Sequence, residues 1–276
     1  MKIRLGFRLL FLYILFSSCS MERKLAMEFI RQKETKTAVL VVPPFSLEMY
    51  NNNEYNFDSV YIPANFPLDS ALFQQTKLIK QISDSVFLEK YLNAYINSLQ
   101  KIGFQVYLPN EVDTFLKVAA SAYVFKFAQI ELREEIYPYA AEEEINGKEF
   151  NKIFNLNLVS LDSWFEFEAR DTAWRKVFYA ENAVMDEFSG DFLTDNKTGN
   201  LVYYYNVDSL SVKEVYQLAE DVGNVYAEYF TDYLMNNYIE QHFRKNKKAT
   251  LFFHYDSELK MLFPFEEGFE EISLSK

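Results

Sequence analysis

Residues 84–108 read DSVFLEKYLNAYINSLQKIGFQVYL. Leu88, Tyr91, Leu92, Tyr95, Ile96, Leu99 and Ile102 recur at the three-and-four spacing of one helix face, which predicts an amphipathic helix over residues 86–102. Asp84 or Ser85 can cap its start, and Gly103 suits the left-handed residue that ends a helix. Residues 104–108 then read as a strand stopped by Pro109. Upstream, residues 37–42 (TAVLVV) form an unbroken apolar, β-branched run halted by Pro43 and Pro44, the pattern of a strand buried on both faces. Strand, helix, glycine and strand in this order signal a packed layer of helix on sheet.

The chain downstream extends that layer. Asn110 can cap a short helix through Leu116. Residues 122–134 (AYVFKFAQIELRE) read as a strand, and residues 137–149 as a polar excursion containing Gly147. Residues 153–169 read as a long strand. Phe154, Leu156 and Leu158 share one face, Phe165, Phe167 and Ala169 the other, so a bulge or bend is expected around Ser160 to Ser163. Residues 174–184 return as its hairpin partner. A polar loop at 187–200 leads to a short strand, LVYYYNV, at 201–207. Ser211 and Glu214 form a capping box that opens the best helix of the chain, periodic to about Phe243. Gly223 lies on its apolar stripe, where another backbone can approach closely. A terminal hairpin or edge strand is expected over 250–263. The fold class is α+β: an antiparallel-rich sheet covered by two long amphipathic helices, in one domain over residues 37–276 with a long insertion at 46–84.

The N-terminus addresses a different question. Lys2, Arg4 and Arg8 precede an apolar run from Leu9 to Phe16 and the small pair Ser17 and Ser18, the three-part layout of a secretory signal over residues 1–18. Eight residues of helix span about 12 Å, too short for a membrane anchor. The chain's one cysteine, Cys19, stands at the end of this signal. Phe16, Ser17, Ser18 and Cys19 resemble the lipobox of bacterial lipoproteins, with Phe16 where that pattern usually has Leu. The resemblance implies cleavage between Ser18 and Cys19, and diacylglycerol and an N-acyl lipid on Cys19. Ser20 in place of Asp resembles the enteric signal for the outer membrane. The single acid in Ser20, Met21, Glu22, Arg23 and Lys24 differs from the acidic run of surface-exported lipoproteins, so a periplasm-facing outer-membrane lipoprotein is expected. Residues 19–36 then read as the lipidated N-terminus with a tether or short helix.

The element order, from TAVLVVPPF through FQVYL, AYVFKFAQIEL and FEFEARDTAWRKVFYA to SVKEVYQLAEDVGNVYAEYFTDYL, resembles the core of several periplasm-facing lipoproteins over residues 36–243. These are the curli-secretion lipoprotein, activators of penicillin-binding proteins and auxiliary lipoproteins of lipid transporters. It is similar above all to uncharacterised lipoproteins of Bacteroidetes. The resemblance implies function by binding: a non-enzymatic, lipid-anchored envelope protein with another envelope protein as partner. A glycan-binding or glycan-processing lipoprotein and a lipid-binding transport auxiliary are the alternatives.

Composition narrows the chemistry. Of 276 residues 7 are Gly, and the closest pair is nine apart, so no glycine-rich phosphate loop exists. One Cys and two His leave no cysteine-rich zinc site and little histidine-based metal chemistry. No catalytic residue, metal or cofactor beyond the covalent lipid is expected. Loss of Lys2, Arg4 and Arg8 with the signal takes the net charge from −12 to −15, which disfavours nucleic acid. Arg244, Lys245, Lys247 and Lys248 read as a solvated helix end. Glu166 and Glu168 share a strand face at a spacing that glycoside chemistry uses, but with Phe165 and Phe167 inward they read as the solvent side of an alternating strand. Glu142, Glu143 and Glu144 read as a solvated run, His254 with Asp256 and Ser257 as non-catalytic, and His242 as a favourable helix-end charge. Asn196, Lys197 and Thr198 match a glycosylation triplet in a loop. Aromatic residues make up 18% of the chain. Tyr203, Tyr204 and Tyr205 are the candidate interaction surface, because three consecutive strand residues cannot all point inward.

Overall fold

The computed structural model describes residues 20–33, 37–53, 68–118, 121–145, 147–170, 174–243, 249, 251–264 and 270–272. The signal, Cys19, the 244–248 patch and much of the insertion lie outside the described residues. In chain order the elements are α1 (Met21–Lys33), β1 (Ala38–Val42), β2 (Glu48–Asn51), α2 (Leu68–Gln75), α3 (Asp84–Ile102), β3 (Gln105–Tyr107), α4 (Val112–Phe115), β4 (Ala122–Ile145), β5 (Lys148–Ala169), β6 (Arg175–Met185), β7 (Glu187–Thr194), β8 (Leu201–Asp208), α5 (Val212–His242), β9 (Phe253–Asp256), β10 (Met261–Pro264) and β11 (Glu270–Glu271). The α+β class holds. The main sheet has the order β11-β6-β5-β4-β1-β3, with β2 also on β4. β1 runs parallel to β3 and β4, β2 parallel to β4, and the remaining pairs are antiparallel.

The β4–β5 hairpin is the spine. Its strands have 24 and 22 residues, so β4 alone spans about 80 Å at ~3.3 Å per residue. In the half nearest β1, Phe125, Phe127, Ile130, Leu132, Val159, Leu161, Phe165 and Phe167 turn one face towards α3 and α5. Tyr91 and Tyr95 of α3 and Tyr226 and Phe230 of α5 close edge-on or tilted over these rings, at centroid separations from 4.6 to 5.3 Å. Such pairs add to the burial of the rings themselves.

The helix ends follow the local chemistry. Gly103 takes φ +104° and its N–H closes the last turn of α3 on Gln100. The start differs from expectation: Ser83, not Asp84 or Ser85, stands at the N-cap, without a side-chain cap bond. Asn110 likewise yields its capping role to Glu111, whose carboxylate accepts from the Leu108 N–H before a 3₁₀ turn leads into α4. At α5 the capping box is complete: Glu214 N–H donates to Ser211 Oγ, and Ser211 N–H donates to Glu214 at 2.7 Å. Gly223 sits against the Tyr91 carbonyl of α3, closer than a Cβ could come.

Two expected interruptions of the sheet are absent. Residues 137–145 and 148–149 are strand, not excursion: β4 runs on to Ile145 and this stretch pairs with β5 residue for residue. β5 has no bulge at 160–163, and its pairing with β6 is unbroken from Leu158 to Glu168. The register shift lies in β4, between Phe127 and Gln129. The apparent change of face along β5 has another cause, a change of cover. Towards the tip, the opposite face, with Tyr139, Phe150 and Phe154, packs against Phe188, Phe192, Tyr203 and Tyr205 of a β7–β8 hairpin. β7 also takes residues 187–194 of the polar loop expected at 187–200, and residues 195–200 remain as its turn into β8.

Between the two covers, residues 158–163 are buried in succession, so both faces are shielded there. On the face away from the helices this stretch is polar. Arg133 pairs with Glu131 and Asp162, and the Tyr179 hydroxyl donates to Asp162 at 2.5 Å. Of the insertion, Glu134 holds the 3₁₀ turn at Ile79–Gln81: its buried carboxylate accepts from the Lys77, Leu78 and Ile79 N–H groups.

Between tether and helix for the segment after Cys19, the structure has a helix. Ser20 caps α1, with its Oγ accepting from the Arg23 N–H at 3.1 Å. Leu25 and Ala26 are buried against Met235 and Ile239 in the last third of α5, together with Phe253 and Leu262 of the β9–β10 hairpin.

Candidate interaction surface

Beyond Glu135 and Leu158 the β4 and β5 strands pair only with each other among the described residues. This two-stranded arm, with the β7–β8 hairpin laid on one face, projects from the helix-covered sheet. A two-stranded ribbon is marginal on its own, so the aromatic contact between the two hairpins is what orders it.

One carboxylate fixes the joint. Asp186, between β6 and β7, is buried and accepts from Asn157 N–H and Nδ2, both at 2.8 Å, and from Leu210 N–H at 2.7 Å. It thereby ties β5, the departure of β7 and the entry to α5 at a single point. Three donors converging on one buried carboxylate make strong, charge-assisted bonds.

The tyrosine triplet divides as strand geometry requires. Tyr203 faces the arm, half-buried, with its ring 4.5 Å from Phe192 and 5.4 Å from Phe154. Gly190 makes the room: a Cβ there would stand 2.5 Å from Tyr203 Cε1. Tyr205 leans on Phe154 at 4.7 Å yet is 57% exposed. Tyr204 points to the other side, 51% exposed, in line with Leu193 and Val202. On the far face of the arm Ile153 is 64% exposed and Ile136 is also in solvent. The arm thus offers apolar and aromatic groups on both outer faces, with hydroxyls at their rims, the composition favoured in protein contacts.

The remaining sequence candidates are dispersed. Glu166 is paired with Lys126 and Arg175, and Glu168 with Arg175, so neighbouring strands engage both carboxylates. Glu142, Glu143 and Glu144 lie at the arm tip. Among the described residues no group of three His, Cys, Asp or Glu is placed to hold a metal ion. Asn196, Lys197 and Thr198 form the β7–β8 turn, where Asp195 Oδ1 accepts from Lys197 N–H. His242 stacks on Tyr238 in the last turn of α5.

His254 finds partners that sequence proximity did not indicate. Its Nδ1 lies 2.6 Å from Asp232, a fully buried carboxylate of α5, and its Nε2 lies 4.0 Å from Glu228. Asp256 instead accepts from Glu258 and Leu259 N–H groups in its own turn. The hydrogen bond to Asp232 raises the His254 pKa, and burial raises that of Glu228. Asp232 and Glu228 are four apart on α5, and only the fold brings β9 to them. The arm was also missed by sequence reading, although Tyr137, Tyr139 and Ala141 do alternate with Pro138, Ala140 and Glu142.

No helix among the described residues is long and apolar enough to cross a membrane. No protein-family model matches the chain, and no curated protein matches it in sequence.

Proposed function

We propose that this chain is a non-enzymatic lipoprotein of the bacterial outer membrane, anchored through Cys19, facing the periplasm, and binding another envelope protein through its β-arm. The observation that carries the reading is the arm itself. Some twenty residues of paired strand extend past the last pairing with β2 and β6, and the hairpin that orders them presents Tyr204, Leu193 and Val202 to solvent. A large aromatic with a polar tip on a rigid strand loses little entropy on docking. The arm and α1 also lie at opposite ends of α5. The arm joint is at the start of α5 and α1 docks near its end, so a membrane-anchored body would hold the arm away from the bilayer.

The test uses the acylated protein in its native envelope. Photo-crosslinking side chains placed at Tyr204 and at Val86, an exposed position on α3, are compared. The proposal expects a discrete adduct from Tyr204 and none from Val86. Absence of any adduct from Tyr204, Leu193 or Ile153 overturns it. Intact mass of the membrane-extracted protein, wild type and Cys19→Ala, tests the anchor: the wild type carries the added lipid mass and the variant does not.

One observation favours a second reading, that of an apolar-ligand carrier. A cleft of about 450 Å³ beside α4 is floored by Leu40, Phe115, Val124 and Trp174, with Arg175 at its edge. Native mass spectrometry of the purified protein decides between them, since a carrier retains lipid and an arm-binding adaptor does not.

A further inference from the structure

Cys19 immediately precedes Ser20, and Ser20 already belongs to the folded body as the cap of α1. The acylated residue is therefore not on a long leash. α1 is fixed from Leu25 onward by burial against Met235 and Ile239, and the Tyr238 hydroxyl donates to Glu28 at 3.1 Å. At about 100° per residue, Leu25, Ala26, Phe29 and Ile30 occupy the docked side, while Ser20, Arg23, Lys24, Met27 and Arg31 fall within an arc of about 100° on the opposite side. Lys24, Met27 and Arg31 are exposed, and Arg23 is partly so.

The charge of this stripe opposes that of the rest of the molecule. It holds three bases in a chain whose mature net charge is −15. Of the two acids of α1, Glu22 is buried, and Glu28, exposed beside Lys24 at the edge of the stripe, is engaged by Tyr238 and Gln32. Basic residues near a bilayer are attracted by anionic headgroups, and a methionine between them can enter the interface.

We infer that the outer face of α1, with Arg23, Lys24, Met27 and Arg31, is a membrane-contact surface for anionic lipid headgroups that fixes the orientation of the anchored protein. The occupant follows from the sequence position of Cys19, the residue bonded to Ser20 on this same stripe, and from charge complementarity. The inference rests on the reading of Cys19 as the anchor. α5 carries the consequence across the molecule: its 31 residues span about 46 Å, with α1 at one end and the arm joint at the other. A body seated on α1 directs the arm away from the bilayer instead of letting it sweep the surface.

The test makes the anchor chemically, so that it does not depend on acylation in the cell. The chain from Cys19 onward is coupled through its only thiol to a maleimide lipid in vesicles of phosphatidylcholine alone or with 30 mol% phosphatidylglycerol. Lysines are then labelled with an amine-reactive ester and mapped by mass spectrometry. On the anionic vesicles, Lys24 labelling is expected to fall at least threefold relative to phosphatidylcholine vesicles, while Lys90 and Lys101, on α3, are unchanged. Arg23→Glu with Arg31→Glu, checked by circular dichroism for an unaltered fold, abolishes the difference. Equal Lys24 labelling on both vesicles, or a difference that survives the double charge reversal, overturns the inference. Acylation in the cell is decided separately by the Cys19→Ala mass comparison, so failure of one leaves the other legible.

Discussion

The two halves of the β4–β5 hairpin share one ladder and bury opposite faces. Near β1, the face carrying Phe125, Phe127, Phe165 and Phe167 is closed by α3 and α5, and these rings are essentially inaccessible. Towards the tip, Tyr139, Phe150 and Phe154 on the other face are closed only by a second hairpin, and they remain partly or well exposed. One pleated ribbon can do both because successive side chains alternate across it. The difference is one of depth: the helices build a core several side chains thick, and the hairpin builds a single layer of rings.

Truncation of matched aromatics measures that depth. Phe165→Ala is expected to lose about 3–5 kcal/mol of stability, the cost of a large cavity in a close-packed core. Phe154→Ala is expected to lose about 1–2 kcal/mol, since its ring is already partly hydrated. Urea unfolding reads both. The tryptophans, Trp164 and Trp174, lie in the helix-covered half, so their fluorescence reports the core and near-ultraviolet tyrosine dichroism adds the arm. Equal losses would show the arm to be as deeply packed as the core.

Asp186→Ala attacks the joint between the halves. It strands three buried or partly buried donors, at Asn157 and Leu210, for an expected loss of about 2–4 kcal/mol. Hydrogen exchange is expected to rise in β7, β8 and residues 136–157 more than in β4 before residue 135. Uniform exchange across both halves would mean that the joint does not separate them.

Two glycines repeat the contrast on a smaller scale. Gly223→Ala drives a Cβ into the Tyr91 backbone carbonyl, which cannot swing aside, and is expected to cost about 1–3 kcal/mol. Gly190→Ala meets the end of the Tyr203 ring, which can, and the substitution also removes a glycine from a strand; a change below about 1 kcal/mol is expected. Thermal melts of the two variants are compared directly, and a larger loss at Gly190 reverses the assignment of rigid and yielding packing.

A pH effect belongs to neither half. The His254 pKa is raised in the folded protein by its bond to Asp232, so the pair stabilises fully below the ordinary histidine value of about 6.5 and loses that contribution as pH rises through the folded value. The wild-type melting temperature is expected to fall more steeply from pH 6 upward than that of His254→Gln. The excess slope should vanish in Asp232→Asn. Parallel slopes in all three proteins would remove the pair from the stability of the α5 end.

The same contrast explains what could be read from the chain. Residues 86–103 and 211–243 were legible because a helix on a sheet writes a 3.6-residue stripe with caps at its ends, and Ser211, Glu214, Gly103 and Gly223 act as read. β5 was legible as a strand, but its change of face reads as a bulge or bend, because alternation records which side chains are buried and not what buries them. The arm was missed at 137–149 and 187–194 for a related reason. Its cover is another hairpin, far in sequence, and its outer faces admit Glu142, Glu143, Glu144 and Pro138, which locally resemble a loop. The Asp232–His254 pair was invisible on the same grounds: 22 residues separate its members and only tertiary packing joins them.

Tyr204 is where the smallest stability effect and the largest functional effect should coincide. Its ring stands on the outer side of β8, opposite Asp191 and in line with Leu193 and Val202, and it is 51% exposed. Removing it uncovers no core and strands no donor, so Tyr204→Ala is expected to shift stability by less than about 0.5 kcal/mol. Tyr203→Ala, by contrast, opens the ring layer over Gly190 and Phe154 and should loosen the arm measurably. If the arm is a docking surface, crosslinking from a second position, Val202, falls several-fold in Tyr204→Ala while the melt is unchanged. A partner held by the hairpin's order alone would be lost with Tyr203→Ala and retained with Tyr204→Ala. That outcome would move the contact from the outer face of β8 to the arm beneath it, because only the inner rings would then be needed to present the binding residues.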